Sequence, residues 1–358
     1  MHDPRIKKLA KILVNHSTKI KKGEYVKIVG SSQTESLILA IFKEVIKKGA
    51  YPKVEAVLPG MNYIFFKNAS NEQLNHFPQL SWDELKKTQV YIGIAAPDNT
   101  RELANIDPKK LTLRQKVIKP ITNYVVNEKP KIRRCTTTFP TTALAQDADM
   151  PLQEYGKFLF SATNIDWDKE SKKIKKINSL FENGKTVRII GEDTDLTLSI
   201  NKKNSIADCG EENMPGGEVF MAPVRNSLNG HIKFTYPPVY MGREVPEIYL
   251  EFKNGRVTKY NASRNKNVLK AVLNTDKNSC YVGELGIGCN PKIRKFTKNL
   301  LFDEKIFGTI HLALGMAYKE NAGGNDSAVH WDIVKDLRNN GKIILDGKTI
   351  QENGKFLI

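Results

Sequence analysis

The chain has 358 residues, 40% hydrophobic and 27% charged, long enough for two ordinary cores and too apolar for a disordered polymer. Its 56 Lys and Arg against 39 Asp and Glu leave a formal charge of +17, which raises nucleic acid as a partner. The lysines are scattered, however, with no stacking aromatics between them and no recognition-helix or RNP-like motif, so a solvated basic surface is the reading adopted.

No run approaches the roughly 20 apolar residues of a membrane span. Charges between Met1 and Lys8 stand where a secretory leader is apolar. Cys135, Cys209, Cys280 and Cys289 form no CxxC pair, which argues against a disulfide framework or a zinc ribbon. A cytoplasmic protein without a membrane partner is expected.

Taken in order, Tyr25 to Gly30 reads as a strand. Thr34 to Lys48 then carries Leu37, Ile38, Ile41, Phe42, Val45 and Ile46 at helical spacing. Gly49 supplies a left-handed stop before a second strand at 52–57, which completes a βαβ unit. Strands at 90–95 and 132–136, with helical patterns near 109–118 and around Tyr155, repeat the alternation of an open, mostly parallel sheet covered by helices. The polar turn Gly30 to Thr34 matches no nucleotide fingerprint. A basic amphipathic helix from Asp166 through Phe181 ends at Asn183-Gly184.

Beyond it come short strands at 187–191, 196–200, 218–222, 248–252 and 256–260, with a tight turn at Asn254-Gly255. The expected architecture is an α/β domain over 1–183 and an α+β domain over 184–358 that carries the chemistry.

Four segments concentrate that chemistry. In Met214-Pro215-Gly216-Gly217-Glu218-Val219 a glycine pair precedes one Glu at the head of an apolar strand, where a carboxylate needs a cation or hydrogen bonds. In Gly283-Glu284-Leu285-Gly286-Ile287-Gly288 another Glu stands among residues that admit close backbone approach. Glu304 precedes His311 by seven residues, His311 itself lying on an apolar run with Tyr318 beyond. Gly323-Gly324 leads to His330-Trp331-Asp332, and in a strand His330 and Asp332 project to one side while Trp331 faces the other. Each segment alone also reads as a strand end, a surface pair or a core histidine.

Together Glu218, Glu284, Glu304, His311, His330 and Asp332 offer four carboxylates and two imidazoles. One zinc takes three or four ligands, so this set is better matched by two divalent ions about 3.5–4 Å apart sharing a carboxylate, the arrangement of a two-metal hydrolase.

In these segments the chain resembles the thermophilic, AmpS-type aminopeptidases. The likeness runs from the strand-helix-Gly-strand start through Asn99-Thr100-Arg101, Asp193 to Thr197, Met214 to Val219, Gly283-Glu284, His311 to Gly315 with Tyr318, and Gly323 to Asn325, to His330-x-Asp332. The resemblance implies a homodimeric, cytoplasmic exopeptidase that releases N-terminal amino acids with two ions of zinc, cobalt, manganese or magnesium. It places Glu218, Glu284, Glu304, His311, His330 and Asp332 on ligand positions, with Glu284 as the bridge. Tyr318 falls on a site tyrosine that can steady an oxyanion, while Glu218 or Glu284 can shuttle a proton. The stretch from Glu304 to His311 is two residues longer than in some members. The ligand set by itself also fits a dimetal hydrolase of another amide or a phosphoester, and a basic nucleic-acid-binding protein without catalysis is the reading from another class.

Overall fold

The computed structural model describes residues 3–127, 132–240 and 242–357. Two compact units are present: Met1–Asn164 with Gly210–Met214, and Ile165–Cys209 with Pro215–Ile358.

In the first unit the strands Tyr25–Ser31, Tyr51–Val57, Val90–Ala95 and Arg133–Thr138 form a parallel sheet. Tyr51–Val57 lies outermost beside Tyr25–Ser31, and the other two follow on the far side. The helix Glu35–Lys47 buries Leu37, Ile38, Ile41 and Val45 of the predicted stripe and leaves Phe42 and Ile46 exposed. Gly49, at φ 70°, turns the chain back into the second strand. The short strand Asn213–Met214 returns from much later in the chain and pairs parallel with Arg133–Thr138, where the Thr137 hydroxyl donates to the Met214 carbonyl at 2.7 Å.

The helix Trp167–Glu182, placed in the first domain by the boundary at 183, groups with the second unit. Its buried stripe of Ile174, Ile177 and Phe181 packs against the strands Ile206–Asp208 and Glu218–Met221. Amphipathic spacing identifies a helix, but which sheet covers its apolar face is a long-range choice.

The second unit contains an eight-stranded antiparallel sheet and a five-stranded one. In the larger, Asn254 (φ 49°) and Gly255 (φ 81°) form the tight turn between Tyr249–Lys253 and Arg256–Asn261. The smaller runs in spatial order 330–336, 309–315, 282–288, 218–221 and 206–208, all antiparallel. Strands Val282–Gly288 and Thr309–Gly315 are buried along their whole length. Among the described residues no helix is long and apolar enough to cross a membrane.

Candidate metal centre

Register in the five-stranded sheet decides which side chains meet. Gly288 lies opposite Glu218, Gly286 opposite both His311 and Phe220, Ala313 opposite Glu284 and Asp332, and Gly315 opposite His330. Directly opposed residues project to the same face of a sheet. Glu218, Glu284, His311, His330 and Asp332 therefore share one face, although they lie on four strands spread over more than a hundred residues of sequence.

Each of the five is opposed by a small residue, and the room this creates is used. A methyl group at Gly286 would lie 2.0 Å from Nε2 and 2.1 Å from Cε1 of His311, so the imidazole lies over a bare backbone. A methyl group at Gly217, whose φ is 113°, would lie 2.7 Å from the Asn290 Cβ. Asn290 is buried and donates through Nδ2 to the Gly216 carbonyl at 3.0 Å, which holds the glycine pair that presents Glu218.

The donors fall into two overlapping groups, Glu218 with Glu284 and His311, and Glu284 with His330 and Asp332. Within each group the ligand atoms lie no more than 4.8 Å apart. His311 Nε2 is 3.2 Å from Glu284 Oε1 and 3.5 Å from Glu218 Oε2, while His330 Nε2 is 3.5 Å from Asp332 Oδ2. His330 Nδ1 faces the Met316 carbonyl at 3.0 Å, which aims Nε2 into the site. The Tyr318 ring lies 5.2 Å from that of His330, centroid to centroid.

The structure does not bring Glu304 into either group. It ends the short helix Leu300–Asp303, and its carboxylate pairs with Lys305. Lys305 is a fully buried cation that also lies 3.2 Å from Glu218 and 3.8 Å from Asp208.

Over residues 2–356 the chain matches the family described as thermophilic metalloprotease (M29). The chain belongs to the M29 metalloprotease family. As such it is a metal-dependent hydrolase of peptide bonds. Aminopeptidase AmpS of Bacillus subtilis (strain 168) is 24% identical to this M29 chain over 367 residues, 91% of the chain and 88% of the relative. Aminopeptidase 2 of Geobacillus stearothermophilus is 25% identical over 402 residues, 97% and 95% of the two. Wild-type AmpT from Thermus thermophilus superimposes with a TM-score of 0.84 at 21% identity over 99% of each chain, a likeness of fold.

The residues of the M29 chain suit the metal that the family implies. Glu218 Oε2, Glu284 Oε2 and Asp332 Oδ1 are buried without a hydrogen-bond partner, a costly state that a cation relieves. Burial pushes the Glu218 carboxyl well above the usual carboxylate range, against the pull of Lys305 and His311. Burial also disfavours a charged His311, yet the hydrogen bond to Glu284 and the charges of Glu218 and Asp332 outweigh it and raise the imidazole to about 10. Tyr318 is raised as well, first by burial and then by Glu284 and Asp332, so its hydroxyl stays protonated at neutral pH.

A pH dependence of metal binding follows. Below about pH 10 the metal-free site carries a proton on His311 that an ion must displace. Zinc affinity is expected to rise by up to about tenfold per pH unit between roughly pH 6 and 9. Isothermal titration across that range checks it, and a flat affinity would remove His311 from the coordination.

Lys305 and Asp208 were not found from the sequence. In Asp303-Glu304-Lys305 the sequence singles out Glu304 as a donor and gives Lys305 no role. The available signal was the apolar stretch Ile306 to Leu314 directly after it, into which a lysine is carried only with a counter-charge.

Proposed function

We propose that this M29 chain is an aminopeptidase that releases N-terminal amino acids from peptides, using two divalent ions held by Glu218, Glu284, His311, His330 and Asp332. The observation that carries this reading is the pair of ligand groups that share Glu284 on one sheet face. The names of the two sequence relatives support the peptide substrate.

Bound ions would supply Lewis acidity toward the scissile carbonyl and a water acidified to near neutral pH. The protein residues supply the rest. The protonated Tyr318 hydroxyl would donate to charge developing on the carbonyl oxygen. The partnerless Oε2 of Glu284 can take a proton from the attacking water and return it to the leaving amine.

The test is hydrolysis of aminoacyl-p-nitroanilides and short peptides, before and after chelation, with zinc, cobalt, manganese and magnesium restored one at a time. Metal-restored release from free but not acetylated N-termini is the expected result. Activity confined to phosphoesters or to blocked amides would overturn the reading.

The enzyme is further proposed to work as a cytoplasmic homodimer. Four sparse cysteines without a CxxC pair support a reducing compartment. The exposed side chains of Leu39, Ile46, Tyr51 and Val54, on the outer helix and strand of the first unit, support self-association. Light scattering on the purified chain that gives the mass of one copy would refute the dimer.

A further inference from the structure

The segment 297–306 is held rigidly against the catalytic sheet. The buried Asp303 carboxylate accepts from the Thr297 amide at 2.7 Å and the Thr297 hydroxyl at 2.9 Å. The Lys305 amide donates to the Phe302 carbonyl at 3.0 Å, and the Lys305 carbonyl accepts from the Asn290 amide at 3.1 Å. Gly288 lets this segment approach so closely that a methyl group there would lie 1.9 Å from the Ile306 carbonyl oxygen. Lys305 thus enters the interior from a fixed backbone and has no solvent exposure at all.

An ammonium has three N–H groups and no acceptor, and three carboxylates surround this one. Glu304 Oε1 is in hydrogen-bond contact, Glu218 Oε1 lies at 3.2 Å and Asp208 Oδ2 at 3.8 Å. The two oxygens of Glu218 therefore face opposite partners, Oε1 toward Lys305 and Oε2 toward His311 Nε2 at 3.5 Å. Only Oε2 is left for the centre. Glu304, bound to the same ammonium, stands outside both ligand groups.

We propose that Lys305 is a positioning residue of the metal centre: its ammonium makes Glu218 a one-oxygen ligand and holds Glu304 out of coordination as its own counter-ion. The ions are then held by five residues, and the charge of the sixth is spent on the lysine. This rests on the two-ion reading above.

Cobalt(II) serves as probe, because the coordination number of the ion sets the intensity of its visible absorption. Wild-type protein is titrated first, and binding of fewer than two equivalents overturns the two-ion reading itself. Glu304→Gln is then expected to keep two equivalents, with cobalt affinity within about threefold and an unchanged spectrum. A ligand would not be dispensable in this way, since even residues that only orient ligands cost about 10- to 100-fold in affinity. Lys305→Met frees oxygens of both Glu218 and Glu304 to join the ion, so the visible absorption is expected to fall by about half or more. Lys305→Arg, which keeps the cation, is expected to preserve the wild-type spectrum. In the Lys305→Met background Glu304→Gln should now change affinity by about tenfold, the non-additivity that a shared partner produces.

Loss of one cobalt equivalent in Glu304→Gln, or a wild-type spectrum in Lys305→Met, would overturn the proposal. Three carboxylates lose their cation in Lys305→Met. If that variant does not fold, Glu304→Gln answers the question in a protein that retains the ammonium.

Discussion

Glu284→Gln is expected to lose both ions and to lower peptide hydrolysis by at least about a thousandfold. Glu284 is the residue common to the two ligand groups, so a change of one atom weakens both together. Glutamine keeps the shape of the side chain and removes a buried charge from a site with few compensating hydrogen bonds. Glu284 Oε2 has no hydrogen-bond partner, but Oε1 lies 3.2 Å from Nε2 of the buried His311, so the neutral amide also removes one partner of a buried charge pair and weakens the metal-free fold. Chelated wild type is therefore the reference for stability. Metal content by emission spectroscopy falls from two equivalents toward none, activity disappears, and the chelated variant melts below chelated wild type but still cooperatively. A variant that kept both ions and lost only turnover would instead assign Glu284 to proton transfer alone.

Gly286→Ala has the second largest expected effect, and it acts on a ligand without touching one. Gly286 has no left-handed backbone angle, so alanine is compatible with its conformation. The obstacle is the His311 ring, whose Nε2 and Cε1 lie 2.0 and 2.1 Å from the position of the new methyl group. The ring is fully buried and cannot swing toward solvent. The methyl group displaces the imidazole from Glu218 and Glu284 or pushes the two strands apart. Overpacking of this kind costs about 1–3 kcal/mol. The expected result is a lower melting temperature, loss of one cobalt equivalent and an activity reduced by about a hundredfold or more. Two equivalents of normal affinity in a stable Gly286→Ala protein would show that His311 is not held where the sheet register places it.

Much of this centre was legible in the chain because its signals are local. Glu218 after two glycines, Glu284 among three, and His330 two residues from Asp332 are each an isolated polar group in an apolar or glycine-rich strand. Period-two alternation places His330 and Asp332 on one side without any knowledge of the neighbouring strands. Glu304 and His311 carried a weaker signal, since seven residues that include a glycine set no common face. The structure brings His311 into the centre through its pairing with the Gly286 strand and leaves Glu304 with Lys305.

The domain boundary shows the same division. A stripe of Ile174, Ile177 and Phe181 identifies a helix, but the partner that buries it lies at 206–208 and 218–221, beyond the predicted boundary at 183.

By itself, then, the sequence determined the βαβ start, the antiparallel second half and the motifs of the family, and it offered six candidate donors for divalent ions. These depend on residue type and on spacing within a few positions of the chain. Only the tertiary structure decided that five donors from four strands share one face, that Gly286 makes space for His311, and that Lys305 is buried among Asp208, Glu218 and Glu304. Those outcomes depend on strand register and on charges brought together from segments about a hundred residues apart, and a buried lysine looks like any surface lysine until the carboxylates that neutralise it are in place.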